Sequence, residues 1–198
     1  MFLLILFLTF LENSFIYDEI FTLNMVRTKL TEKQKEKALE IVNSLQKRIK
    51  IIQNSKNKKI PRVLAIEWIE PFFTAGHWIP EMIELAGGIN LISKTGEHSR
   101  RMAITEVINS NPDIIILMPC GFDTARTISE YNSILKNNHA WNSLNAVKNN
   151  QIFAVDANSF FSKPSIRTIE GLEILAKIIQ PGKFEDLNVS VNSFSNIS

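Results

Sequence analysis

Three histidines (His77, His98 and His139), the single cysteine Cys120 and the carboxylates Glu67 and Asp156 are the residues whose types suit metal or hydrolytic chemistry. Neutral imidazole, thiolate and carboxylate are the usual ligands of zinc and related ions. Their spacing argues against it. The histidines are scattered with no H-x-x-x-H pair, and the chain has no G-x-S-x-G elbow, P-loop or Gly-x-Gly fingerprint. Cys120 closes an apolar run with no His or acid placed by sequence to activate it, so a packed small thiol is expected there. One cysteine also excludes an intrachain disulfide framework and a Cys-based zinc knuckle. The concentrated signal is aromatic instead: Trp68, Phe72, Phe73 and Trp78 lie close together with His77 among them, and Phe160 and Phe161 follow later. Such rings can wall a flat ligand; they can equally fill a core. His77 is suited to donate a hydrogen bond or to ligate a metal, and a hydrogen-bonded loop residue is the plainer reading. Arg100 and Arg101 have the geometry to meet amides, carboxylates or phosphate, although a solvated loop accounts for them equally well. Asn158 sits in the same exit loop as Phe160 and Phe161, whose departure Pro164 fixes.

The elements that must hold these residues follow from pattern. Residues 62–68 read as an apolar strand, followed by the ring-loaded loop with Pro71 and Pro80, then a helix from Ile79 to Ala86 closed by Gly87 and Gly88. Residues 114–118, Ile-Ile-Ile-Leu-Met, form the strongest strand, a β-branched run of the kind buried on both faces of a parallel sheet. Asn111-Pro112-Asp113 separates it from a short helix over 104–110. A helix over 124–135 follows, then a third strand over 151–156, a third exit loop and a closing amphipathic helix over 165–179 stopped by Pro181-Gly182. Strand and helix alternate three times. The expected fold is α/β, a parallel sheet flanked by helices, with all three exit loops opening on one edge.

Ahead of this unit, residues 31–54 carry apolar positions Ala38, Ile41, Val42, Leu45, Ile49 and Ile52 on one helical face. Thr31 is the expected N-cap, and the helix is about 35 Å long at 1.5 Å per residue. It is either a surface helix of one domain or a strut between two lobes. Residues 55–59 read as a polar turn, and residues 185–198 as a disordered tail. The opening MFLLILFLTFL is too short to span a bilayer, which takes about 20 residues. It lacks the preceding Lys or Arg and the small-x-small site of an export signal. Signal and core remnant of a first lobe remain as two readings of residues 1–25. If it is a signal, the protein is extracytoplasmic, either membrane-associated or secreted. With 198 residues and a net charge of +2, the chain supports one good core, and no basic stretch interleaved with stacking aromatics suggests nucleic acid.

TAGHWIPEMIELAGG, NPDIIILMPCGFD and AWNSLNAVKNNQIFAVDANSFFSKPSIRTIEGLEILA together resemble the cobalamin-binding subgroup of ABC-importer substrate-binding proteins. These fall in the iron-siderophore/vitamin B12 receptor family. The resemblance runs from about Tyr17 to Phe184; EWIEPFFTAGHW, MPCGFD and DANSFF are its more specific parts. It implies two α/β lobes joined by one long helix, with residues 26–59 as the inter-lobe helix and turn and residues 60–184 as the second, ligand-binding lobe. It implies a non-enzymatic binder that captures a corrinoid such as cobalamin, needs no catalytic cofactor and delivers its ligand to a membrane permease. Trp68, Phe72, Phe73, His77, Trp78, Arg100, Arg101, Asn158, Phe160 and Phe161 would then be ligand-facing. Glu106 stands where such receptors present a carboxylate to permease arginines, a reversible contact suited to exposed charge.

A full member carries a first lobe of comparable size before the strut, compact domains being about 100–150 residues, and only residues near 13–25 resemble part of it. The expectation is a partial receptor whose other lobe is absent or supplied by another chain, with correspondingly weaker affinity. Haem, a ferric siderophore or another metal remain alternative ligands. A metal-dependent enzyme domain using His77, His98 and His139 is the alternative from a different class.

Overall fold

The computed structural model describes residues 31–55 and 59–197; the expectations for residues 1–25 lie outside the described residues. Its centre is the β-branched run. Strand β4 (Ile114–Leu117) is buried at every position, and it lies between β1 (Arg62–Trp68) and β5 (Ile152–Val155), parallel to both. The register pairs Val63 with Ile114 and Ile115 with Ile152. Alternation then sends successive side chains to opposite faces. Val63, Ala65, Ile114 and Ile116 enter one apolar cluster, and Leu64, Ile66, Ile115 and Leu117 enter another.

The edges are short and mixed. β2 (Phe73–Thr74) runs antiparallel to the end of β1, and β3 (Ile89–Asn90) runs parallel to its start. β6 (Phe194–Asn196) runs antiparallel to β5, completing the order β2-β1-β4-β5-β6. The parallel sheet expected from the alternation is therefore its three-strand centre.

Helices cover both faces. The first cluster is covered by α1 (Glu32–Gln53), α2 (Ile79–Leu85) and α8 (Thr168–Ile179). The second is covered by α3 (Ile104–Ser110), α4 (Thr124–Ile134), α5 (His139–Asn142) and α6 (Asn145–Lys148), with Trp141 fully buried. A short α7 (Ala157–Phe160) follows β5 within the expected loop. Thr31 caps α1 through a reciprocal capping box with Gln34. Leu45, Ile49 and Ile52 bury its second half, while Leu39 and Ile41 in its first half stay exposed. Arg48 fixes α1 to α8, donating Nε and Nη2 to the two oxygens of buried Glu173 at 2.7 and 2.6 Å.

The segment after α8 corrects one expectation. Residues 185–197 are ordered, ending in β6. Their apolar residues are too sparse for a periodic signal, yet Phe184 is buried and Leu187, Val189 and Phe194 pack on the first cluster. The Lys177 ammonium donates to the carbonyls of Phe184, Glu185 and Leu187, which uses all three of its protons on one turn of chain.

Candidate functional site

A cavity of about 400 Å³ lies where β1, β4 and β5 end. Backbone hydrogen bonds tie the three exits together. The Cys120 N–H donates to the Glu67 carbonyl at 3.2 Å, and the Asn158 N–H donates to the Phe122 carbonyl at 3.0 Å. The Gly121 N–H donates to Ser162 Oγ at 2.9 Å. From the β1 exit, Glu67, Gly76, His77 and Trp78 face the cavity; Met118 and Cys120 come from the β4 exit, and Phe161 and Ser162 from that of β5.

The loop from 96 to 99 forms the back of the β1 exit. His77 adopts φ 57°, the left-handed region that side chains with a Cβ seldom enter. Two backbone bonds hold it there: His77 N–H donates to Glu97 O at 2.7 Å, and Gly96 N–H donates to His77 O at 2.8 Å. Gly76 allows the loop this close, since a Cβ there would sit 2.6 Å from both Glu97 O and Ser99 N. The His77 ring thereby meets Trp78 at 5.7 Å and, edge to face, His98 at 5.0 Å. Ser99 donates its hydroxyl to Oε2 of half-buried Glu67. The indole N–H of Trp78 is buried with no acceptor among the described residues.

Of the ten predicted ligand-facing residues, His77, Trp78 and Phe161 line this cavity. The others stand elsewhere. Trp68 packs edge-on to Phe122 at 5.3 Å and donates its indole N–H to Glu70 O. Phe72 stacks on Trp141 at 5.9 Å in the opposite core, and Phe73 is held in β2, bridged to Arg101. Phe160 is buried in the first cluster. Asn158 is exposed on α7 and outside the cavity lining. Arg100 places Nη2 2.9 Å from Oε1 of Glu106. Arg101 lines a second cavity of about 590 Å³ between the β1 exit loop, α3 and α5. That cavity is larger, but it lies away from the ends of β4 and β5.

Cys120 is exposed, not packed, because it lies past the end of β4 in the loop that lines the open cavity. Glu67, Gly76, Ile79, Met118, Cys120 and Ser162 complete the lining; Glu67, Met118 and Cys120 carried only a weak signal in sequence, at or just beyond the carboxyl end of a predicted strand, and Ser162 lies further along the third exit loop. Among the described residues no group of three or more His, Cys, Asp and Glu is placed to hold a metal ion. His139 begins α5 in the opposite helix layer, away from the His77–His98 contact. Glu106 does two local jobs, accepting from the Ala103 N–H as an N-terminal cap of α3 and pairing with Arg100. These bonds, Arg100's first and Ala103's second, hold its carboxyl below the usual carboxylate range.

With this geometry in place, comparison with known proteins gives the class. Residues 5–159 match the family described as periplasmic binding protein, and the chain belongs to that family. Its members are solute-binding proteins, not enzymes. The high-affinity heme uptake system protein IsdE of Staphylococcus aureus is 27% identical over 132 residues, covering 64% of this chain and 45% of its own length. The chain thus spans about half the length of the curated relatives it matches. Among solved structures, S. aureus IsdE complexed with heme superposes with a TM-score of 0.64 at 24% identity, over 75% of this chain and 59% of that one. The TroA-like protein FepB of Veillonella parvula gives 0.64 at 21%, over 79% and 50%. The vitamin B12 binding protein BtuF of Vibrio cholerae gives 0.53 at 20%, over 75% and 53%. Likeness at these identities carries the fold.

Proposed function

We propose that this chain acts as a ligand-binding lobe of an ABC-importer substrate-binding protein, that it works outside the cytoplasm, and that its ligand is cobalamin or a related corrinoid. One observation carries the reading: three exit loops, tied by backbone bonds, converge on a single cavity faced by Trp78, His77 and Phe161. Rigid rings with one polar edge suit a flat macrocycle. A second lobe would cover the ligand's other side. Glu106 is the proposed permease contact, in which a permease arginine would replace Arg100 as its partner.

Haem is the second reading. The IsdE relative favours it, and His77, Met118 and Cys120 in the lining are residue types that serve as axial ligands of haem iron. Calorimetric titration of the chain with cyanocobalamin and with haemin separates the two. Saturable one-to-one binding of cyanocobalamin supports the corrinoid reading, and binding of haemin alone replaces it with the haem reading. A well-folded chain that binds neither removes both.

A further inference from the structure

We infer that Glu67 sets ligand specificity in this cavity, favouring a macrocycle whose rim presents hydrogen-bond donors such as carboxamides over one whose rim presents carboxylates. The inference deepens the macrocycle reading above and rests on it. Among the described residues the lining contains no lysine and no arginine, and Glu67 is its one carboxylate. The guanidiniums beside the 96–99 loop are engaged elsewhere: Arg100 on Glu106 and the Arg101 carbonyl, Arg101 along the second cavity; Lys163, next to Ser162, is exposed and outside the lining. An anionic rim would therefore meet a carboxylate with no cation in the lining to offset it, and would lose water in doing so.

The Glu67 carboxylate is also positioned to accept. It lies at the end of β1, where its backbone carbonyl takes the Cys120 N–H, and Ser99 engages Oε2 alone. Among the described residues Oε1 takes no hydrogen bond, so a ligand amide N–H entering the cavity would find a charged acceptor, the stronger kind of partner. Haem bears two propionates, whereas the rim of an amidated corrinoid bears none. The cavity's charge thus separates two ligand chemistries that its ring walls do not.

The test pairs two probes with the same corrin ring: cobinamide, whose side chains end in amides, and cobyrinic acid, whose side chains end in carboxylates. Calorimetry with the full chain is expected to give cobinamide the tighter binding by about tenfold or more, which corresponds to roughly 1.4 kcal/mol. Glu67→Gln keeps size and hydrogen bonding while removing the charge; it should bring the two affinities together, mainly by strengthening cobyrinic acid. Ser99→Ala removes the donor to Oε2 and should widen the preference, and it decides the matter alone if Glu67→Gln does not fold. An unchanged ratio in the variants, or tighter binding of cobyrinic acid or haemin by the unaltered chain, overturns the role of Glu67 and leaves the macrocycle reading standing. Failure of cobinamide, cobyrinic acid and haemin alike to bind a folded chain overturns both.

Discussion

Trp78 and Glu106 show how differently two residues named from the same sequence come to be judged. Trp78 lines the cavity and keeps a buried indole N–H without a partner among the described residues. Trp78→Ala should weaken corrinoid binding about thirtyfold or more, since truncating a hot-spot aromatic costs about 2 kcal/mol or more; unchanged affinity by calorimetry would remove Trp78 from the site. Phe72→Ala is the contrasting substitution. Its ring stacks on fully buried Trp141, so the expected loss is in stability, about 3–5 kcal/mol, read as a lower denaturant midpoint. Glu106 is a matter of charge. Its folded carboxyl titrates below the usual range because Arg100 and the Ala103 N–H bind the ionised form. Its contribution is therefore present above the ordinary carboxylate value and is lost as pH falls through the lowered folded value. Carboxyl-carbon NMR should show this low midpoint, and Arg100→Ala should raise it; a midpoint indifferent to Arg100 would discount the pair.

At the scale of elements, two attachments outside the sheet carry predictions. Arg48 satisfies the buried carboxylate of Glu173, which joins α1 to α8. Arg48→Ala leaves that carboxylate unpaired, at a cost of roughly 1–3 kcal/mol. The double variant Arg48→Met with Glu173→Leu should recover part of the loss, because no buried charge is then left alone; urea unfolding checks both. The other attachment is the backbone contact between Gly76 and the 97–99 segment. Gly76→Ala places a methyl 2.6 Å from Glu97 O and Ser99 N, and backbone cannot swing away as a side chain can. The segment must move, which separates Ser99 from Glu67 and loosens His77. Ligand affinity should fall severalfold while far-UV dichroism stays native, and retained affinity would show that this loop does not shape the site.

For the whole molecule, the described part presents one lobe and a site open on the side away from the sheet. A macrocycle seated there is covered from one face, so much of its apolar surface stays in water and affinity should be well below that of an enclosed site. Micromolar or weaker binding is the expected calorimetric result, about −8 kcal/mol or less in magnitude. The tail matters at this scale as well. Residues 185–197 cover the outer edge of β5 and pack on the first apolar cluster, so truncation after Gly182 should expose a sheet edge and promote self-association, measurable by light scattering.

The sequence by itself determined the three parallel strands, the longer helices between them and the cap of α1, because each rests on a local signal: an unbroken β-branched run, a 3.6-residue stripe, a Thr at the N-cap; the four-residue α5 and α6 are too short to carry such a stripe. It also placed His77 and Trp78 at a strand exit, where a parallel sheet opens toward ligands. Only the tertiary structure decided which rings face the cavity. Phe72 and Phe161 look alike as sequence, each beside a second phenylalanine, yet one stacks under α5 and the other lines the site. Their difference depends on where the chain turns after each strand and on partners more than sixty positions away, which no local pattern encodes. The same holds for charge: Arg100 and Arg101 are adjacent to a cavity-wall segment, but the α3 carboxylate draws one away and the second cavity takes the other. That long-range competition leaves Glu67, among the described residues, with no cation beside it in the cavity lining, and so gives the site its charge.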